Sequence, residues 1–100
     1  MKGSSYFCRV VFKKIVPGYN HKTRKYVRGC VVDIEFVNKE TEEIEKDNIW
    51  VDASVYPPDH IEVGGYYSVY RAKNGYVIEF FKQDGPTEAY VRAQGNSWGR

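Results

Sequence analysis

Residues 64–82 read GGYYSVYRAKNGYVIEFFK, and the folding of this stretch decides the architecture. Two runs rich in aromatic and β-branched residues flank Asn74-Gly75, the pair preferred in two-residue type I′ turns, so the stretch reads as a β-hairpin. A two-residue turn sets Lys73 opposite Tyr76, Arg71 opposite Ile78, Val69 opposite Phe80 and Tyr67 opposite Lys82, with Tyr70 facing Glu79. Alternation along a strand then forbids Tyr66, Tyr67 and Tyr70 from all pointing inward.

Working outward, YFCRVVFKKIV (6–16) has the same composition and stops at Pro17-Gly18, a turn pair. In YVRGCVVDIEFV (26–37), Tyr26, Cys30, Val32, Ile34 and Phe36 share one face and Asp33 and Glu35 the other, which predicts a half-buried strand bent at Gly29. NKETEEIEKDN (38–48) has a single apolar residue, Ile44, too few for a core-facing stripe, so an exposed acidic hairpin loop or a frayed helical turn is expected. IWVDASVY (49–56) supplies a further strand, ended by Pro57-Pro58. Beyond Gln83, DGPTEAYVRAQGNSWGR reads as a flexible tail with Tyr90 and Trp98 as points of contact. The expectation is an all-β domain over 1–83 and a tail over 84–100. Five short strands with little or no helix suit an OB-type Greek-key barrel, with an SH3-like barrel as the second choice.

One hundred residues suffice for one domain with one core. The stretch MKGSSYFCRV lacks a signal-peptide apolar run and no segment reaches a membrane span, so a cytoplasmic location without membrane contact is expected. Cys8 and Cys30 lie in strand-like runs and read as buried thiols in a reducing compartment. No catalytic constellation emerges. His60-x-Glu62 lacks the Pro-Cys-x-x-Cys half of a zinc-deaminase signature. Cys8, Cys30, His21 and His60 show no metal-ligand spacing, and Asp47, Asp52 and Asp59 read as loop acids without a partner. Neither an enzyme nor a cofactor is expected.

The net charge of +2 hides a segregation. Residues 1–32 carry eight bases and no acid, a block of +8, and 33–62 carry ten acids against Lys39 and Lys46, a block of −8. Such asymmetry points to a polyanion partner for the basic block, unless the two blocks lie side by side and neutralise each other. The bases concentrate in PGYNHKTRKYVRG (17–29), interleaved with tyrosines. Rings that stack on bases while Lys and Arg follow phosphates bind single strands without a sequence code. The candidate contacts are Tyr19, His21, Lys22, Arg24, Lys25, Tyr26 and Arg28, supported by Arg9, Lys13 and Lys14 and more weakly by Arg71 and Lys73. Two other readings are an RNA-binding OB or cold-shock-like domain, and a protein–protein module acting through acidic residues 38–48.

GYNHKTRKY (18–26) and IEVGGYYSVYRAKNGYVIEFFK (61–82) together resemble the single-stranded-DNA-binding proteins of filamentous phages. Lys22-Thr23-Arg24-Lys25-Tyr26 looks like a variant of that family's Lys-Thr-Gly-Lys-x-Tyr loop, and Val63–Val69 is similar to its apolar-Gly-x-Tyr-x-Val segment. The resemblance implies a five-stranded OB-type barrel that coats single-stranded DNA cooperatively as a symmetric dimer. Tyr19, Tyr26 and the loop bases would touch DNA, and the Asn74-Gly75 hairpin would help to form the homodimer. The chain departs from the pattern at Arg24, where glycine is expected, in the acidic segment 38–48, and in its long tail.

Overall fold

Alternating apolar residues build the longest strand, β1 (Ser4–Ile15), which is the axis of the molecule. In the computed structural model, which describes residues 4–98, β1 pairs antiparallel with β4 (Gly29–Val37) on one side and with β6 (Tyr66–Arg71) on the other. Between β1 and β4 the chain leaves the sheet as a two-stranded ribbon, β2 (Gly18–Asn20) and β3 (Lys25–Val27). With β5 (Ile44–Asp52) and β7 (Val77–Gln83), the main sheet has the order β5-β4-β1-β6-β7. Its edges are β5 and β7, and no hydrogen-bonded ladder joins them among the described residues. Arg71 reaches across to Asp47 of β5 at 3.2 Å.

One face of the sheet is the core. Cys8 and Val10 of β1, Cys30, Val32 and Ile34 of β4, Val51 of β5, and Tyr67 and Val69 of β6 are buried there with Ile61 and Phe80. Each such Val or Ile contributes about 1.5–3 kcal/mol by leaving water. Tyr67 stacks on Phe80 with centroids 4.6 Å apart, and its hydroxyl accepts the Glu62 N–H at 2.8 Å, so its polar end is satisfied inside the core. Cys8 and Cys30 are buried free thiols, as expected, and burial pushes Cys8 up to about 12.

A bulge between Val10 and Phe12 shifts the register of β1 by one residue. Lys13 therefore opposes buried Val32, on the core side of the sheet. Its ammonium donates to the carbonyls of Pro58 and Ile61 at 2.9 and 2.8 Å, fastening the 3-10 turn Pro58–His60 across the core opening.

Four expectations are corrected. The 64–82 hairpin keeps the pairs Val69–Phe80, Tyr67–Lys82 and Tyr70–Glu79, but Arg71 faces Val77 rather than Ile78. The turn is longer than two residues: Gly75 N–H donates to the Ala72 carbonyl and Ala72 N–H to that of Tyr76, both at 2.8 Å. Only Gly75, at φ 93°, is left-handed there, whereas a type I′ turn needs Asn74 to be so as well. Tyr26 does not continue the face of β4; it belongs to β3, and the chain breaks at Arg28 before β4 begins. The acidic stretch is a strand from Ile44 onward, because Ile44, Glu45 and Lys46 pair with Val37, Phe36 and Glu35, which leaves only a tight turn at 38–43.

The fourth concerns residues 84–98, expected to be flexible, which contain helix α1 (Glu88–Trp98). Thr87 caps it, its hydroxyl accepting the Tyr90 N–H at 3.2 Å. Tyr90 and Ala93, three residues apart, are buried against the sheet face opposite the core. Tyr90 lies 5.9 Å from both Phe7 and Tyr66, and its hydroxyl donates to Glu35 at 3.0 Å. Beside it an apolar cavity of about 300 Å³ opens between Phe7, Val37, Ala89 and Ala93. The Trp98 side chain lies outside the described residues.

Candidate nucleic-acid interface

The basic loop of the sequence is an ordered finger. Asn20 closes its turn: the side-chain oxygen accepts the N–H groups of Lys22 and Thr23 at 2.9 and 3.2 Å, and its carbonyl accepts that of Arg24 at 2.8 Å. Arg24 is held at φ 57°, a left-handed conformation that favours glycine. The chain thus places a charged side chain where the turn itself favours glycine.

Tyr19 and Tyr26 are direct cross-strand partners on the finger, their rings edge to face at 5.2 Å. His21 meets Tyr19 edge to face at 5.0 Å. Tyr19 is 43% exposed and Tyr26 75%, so two phenol rings braced by each other stand in solvent.

Salt bridges and hydrogen bonds divide the nine nominated lysines and arginines into two groups. Arg9 pairs with Glu35 at 3.8 Å, Arg28 with Asp59 at 3.3 Å and Arg71 with Asp47 at 3.2 Å. Lys13 is committed to two carbonyls. By contrast Lys14, Lys22, Arg24, Lys25 and Lys73 make no ion pair among the described residues. The basic and acidic blocks thus neutralise each other only in part, through Arg9 and Arg28, and the finger tip keeps its charge. Asp47 and Asp59, expected to stand alone, are the partners in two of these pairs.

The root of the finger is fixed by a tryptophan. A Cβ placed on Gly18 would fall 2.6 Å from Cζ2 of Trp50, and one on Gly29 2.4 Å from the same atom. The finger therefore leaves the sheet through two residues without side chains, both seated against one indole. Trp50 opposes Val31 of β4, and Lys14 opposes Val31 from the other side, so the three form a row on the non-core face.

Between finger, β5 and the β6–β7 turn lies a cleft of about 410 Å³, lined among others by Tyr19, His21, Lys22, Trp50, Asp52 and Tyr76. Trp50 and Tyr76 were not among the residues nominated from sequence. The signal for Trp50 was present, since Ile49 and Val51 alternate inward and leave Trp50 on the other face. The tyrosines of β6 contribute less than their number suggests: Tyr67 is core, and Tyr66 stacks on Phe7 at 5.7 Å beneath Tyr90.

Among the described residues no group of His, Cys, Asp and Glu is placed to hold a metal ion, and no helix is long and apolar enough to cross a membrane. Compared with protein-family models, curated proteins and solved structures, the chain finds no match in any of the three.

Proposed function

We infer that the protein binds single-stranded nucleic acid, DNA in the first instance, with the β2–β3 finger as its principal contact. The observation that carries this reading is the finger itself. It presents the exposed pair Tyr19 and Tyr26 on the same short ribbon as Lys22, Arg24 and Lys25, none of which has an acidic partner among the described residues. Rings of this kind stack on any base, for about 1–3 kcal/mol each, while free Lys and Arg follow the phosphates. Lys14 and the root cleft extend the surface onto the sheet, and Lys73 adds a free charge on the β6–β7 turn.

The strand order supports an OB-type barrel as the finer description of the fold. In such barrels the first-to-second and fourth-to-fifth strand loops flank the ligand face. Here those connections are the finger and the Lys73–Gly75 turn, and Tyr19 and Tyr76 from either side line one cleft. The same two segments carry the resemblance to filamentous-phage proteins, and a homodimer built through the β6–β7 hairpin belongs to this proposal.

The test is fluorescence-anisotropy titration of labelled oligo-dT, oligo-rU and a duplex across a salt series. A log–log slope of about −3, from roughly four neutralised phosphates at −0.7 each, with weak duplex binding, is the expected result. Replacing Lys22, Arg24 and Lys25 together by alanine should cut that slope by about 2. Absence of single-strand binding at ~50 mM salt, where such contacts are strong, overturns the reading.

A further inference from the structure

The single-strand reading predicts indifference to sequence, yet the cleft at the root of the finger is not chemically indifferent. Its walls include the flat side chains of Trp50 and Tyr76, and its volume of about 410 Å³ is within the ~300–1,000 Å³ common for small-ligand sites. Among its polar groups, the side-chain oxygen of Asn20 is spent, already accepting two backbone N–H groups, which leaves its amide N–H₂ as a donor. Asp52 is only half spent. Its Oδ1 accepts the Ser54 N–H and hydroxyl at 2.9 and 3.0 Å, which fixes the carboxylate in place, and its Oδ2 accepts nothing among the described residues.

We propose that this cleft seats one nucleobase of the bound strand, and that Asp52 makes it prefer cytosine over uracil or thymine. The two pyrimidine types have the same ring and stack alike. Their pairing edges differ at N3, an acceptor in cytosine and an N–H in the others, and at position 4, where cytosine offers an amine and the others a carbonyl and where this proposal sets Asp52. A fixed carboxylate oxygen accepts a hydrogen bond from the amine, whereas it faces the carbonyl as one acceptor against another. Lys22, also on the cleft wall, is free to meet the phosphate of the seated nucleotide. The inference rests on the single-strand reading and adds a base preference that stacking and charge do not supply.

Anisotropy titrations of the full-length protein with labelled oligo-dC and oligo-dU of equal length, at one salt concentration, test it. Oligo-dC is expected to bind about tenfold tighter, the value of one charge-assisted hydrogen bond. Asp52→Asn, which keeps an oxygen for Ser54 and turns an amide N–H₂ towards the base, should abolish or reverse the preference by weakening oligo-dC relative to oligo-dU. A second arm needs no variant: an oligonucleotide of 2-pyrimidinone, which lacks both the amine and the carbonyl, should bind the wild-type protein more weakly than oligo-dC. Equal binding of oligo-dC and oligo-dU overturns the base preference but leaves single-strand binding standing. A dC preference that persists in Asp52→Asn, or a 2-pyrimidinone strand that binds as tightly as oligo-dC, also overturns it, and failure of every strand to bind removes both readings.

Discussion

At Arg24, charge and conformation pull against each other. Its φ of 57° costs a non-glycine residue about 1–2 kcal/mol, whereas its guanidinium is one of the free charges of the finger. The two contributions separate in a pair of variants. Arg24→Gly and Arg24→Ala should lose the same affinity for oligo-dT, a few-fold at low salt. In urea denaturation, however, Arg24→Gly should be about 1 kcal/mol more stable than Arg24→Ala, because only glycine relieves the turn. Equal stabilities would show that the left-handed conformation carries no cost here. The charge at this position was legible in the sequence, but its backbone angle was not, since φ follows from how Asn20 closes the turn.

Helix α1 shows what an element owes to one side chain. Its composition is that of a solvated tail, and among the described residues Tyr90 and Ala93 are its buried ones, so no periodic stripe announced it. What orders it is tertiary: the Tyr90 ring between Phe7 and Tyr66, and its hydroxyl on Glu35. Tyr90→Ala should cost about 3–5 kcal/mol, as for other large buried rings, and release the helix signal in circular dichroism. Tyr90→Phe should cost about 1 kcal/mol, the net value of the hydrogen bond. Burial, reinforced by the Glu35 carboxylate, pushes the Tyr90 phenol up to about 12. The native state therefore holds this proton more tightly than the unfolded chain, whose tyrosines ionise near 10. The resulting stability is whole below pH ~10 and declines as pH rises towards about 12. Burial also raises Tyr6 and Tyr67, so alkaline titration followed at 295 nm should show a late group of tyrosines ionising after the exposed ones, and Tyr90→Phe should remove one tyrosine from that group. The strands were legible because alternation reports burial directly. The bulge at Val11 and the longer turn at Gly75 were not, because each depends on how a neighbouring strand is met.

At the scale of the whole molecule the charge layout decides between partners. β4 runs from the root of the finger to the acidic turn, and nine residues of strand span roughly 30 Å. That is several times the ~8 Å over which exposed charges feel each other at physiological salt, so the finger tip and Glu40, Glu42 and Glu43 act separately. Changing those three glutamates to glutamine should leave single-strand binding unchanged, or tighten it slightly at low salt, in the same anisotropy assay. Loss of binding would move the functional surface to the acidic turn and favour a protein partner. The segregation itself was visible in the sequence; that the finger and the acidic turn at 38–43 lie at opposite ends of β4 required the topology.

The seating of Gly18 and Gly29 against Trp50 has an optical consequence. The finger joins the sheet at the ring of an intrinsic chromophore, so any swing of the finger about its root changes what that ring touches. The chain has two tryptophans. With Trp98 replaced by phenylalanine, every change in indole emission arises at this joint, and the protein becomes its own gauge of whether the finger moves when a strand arrives.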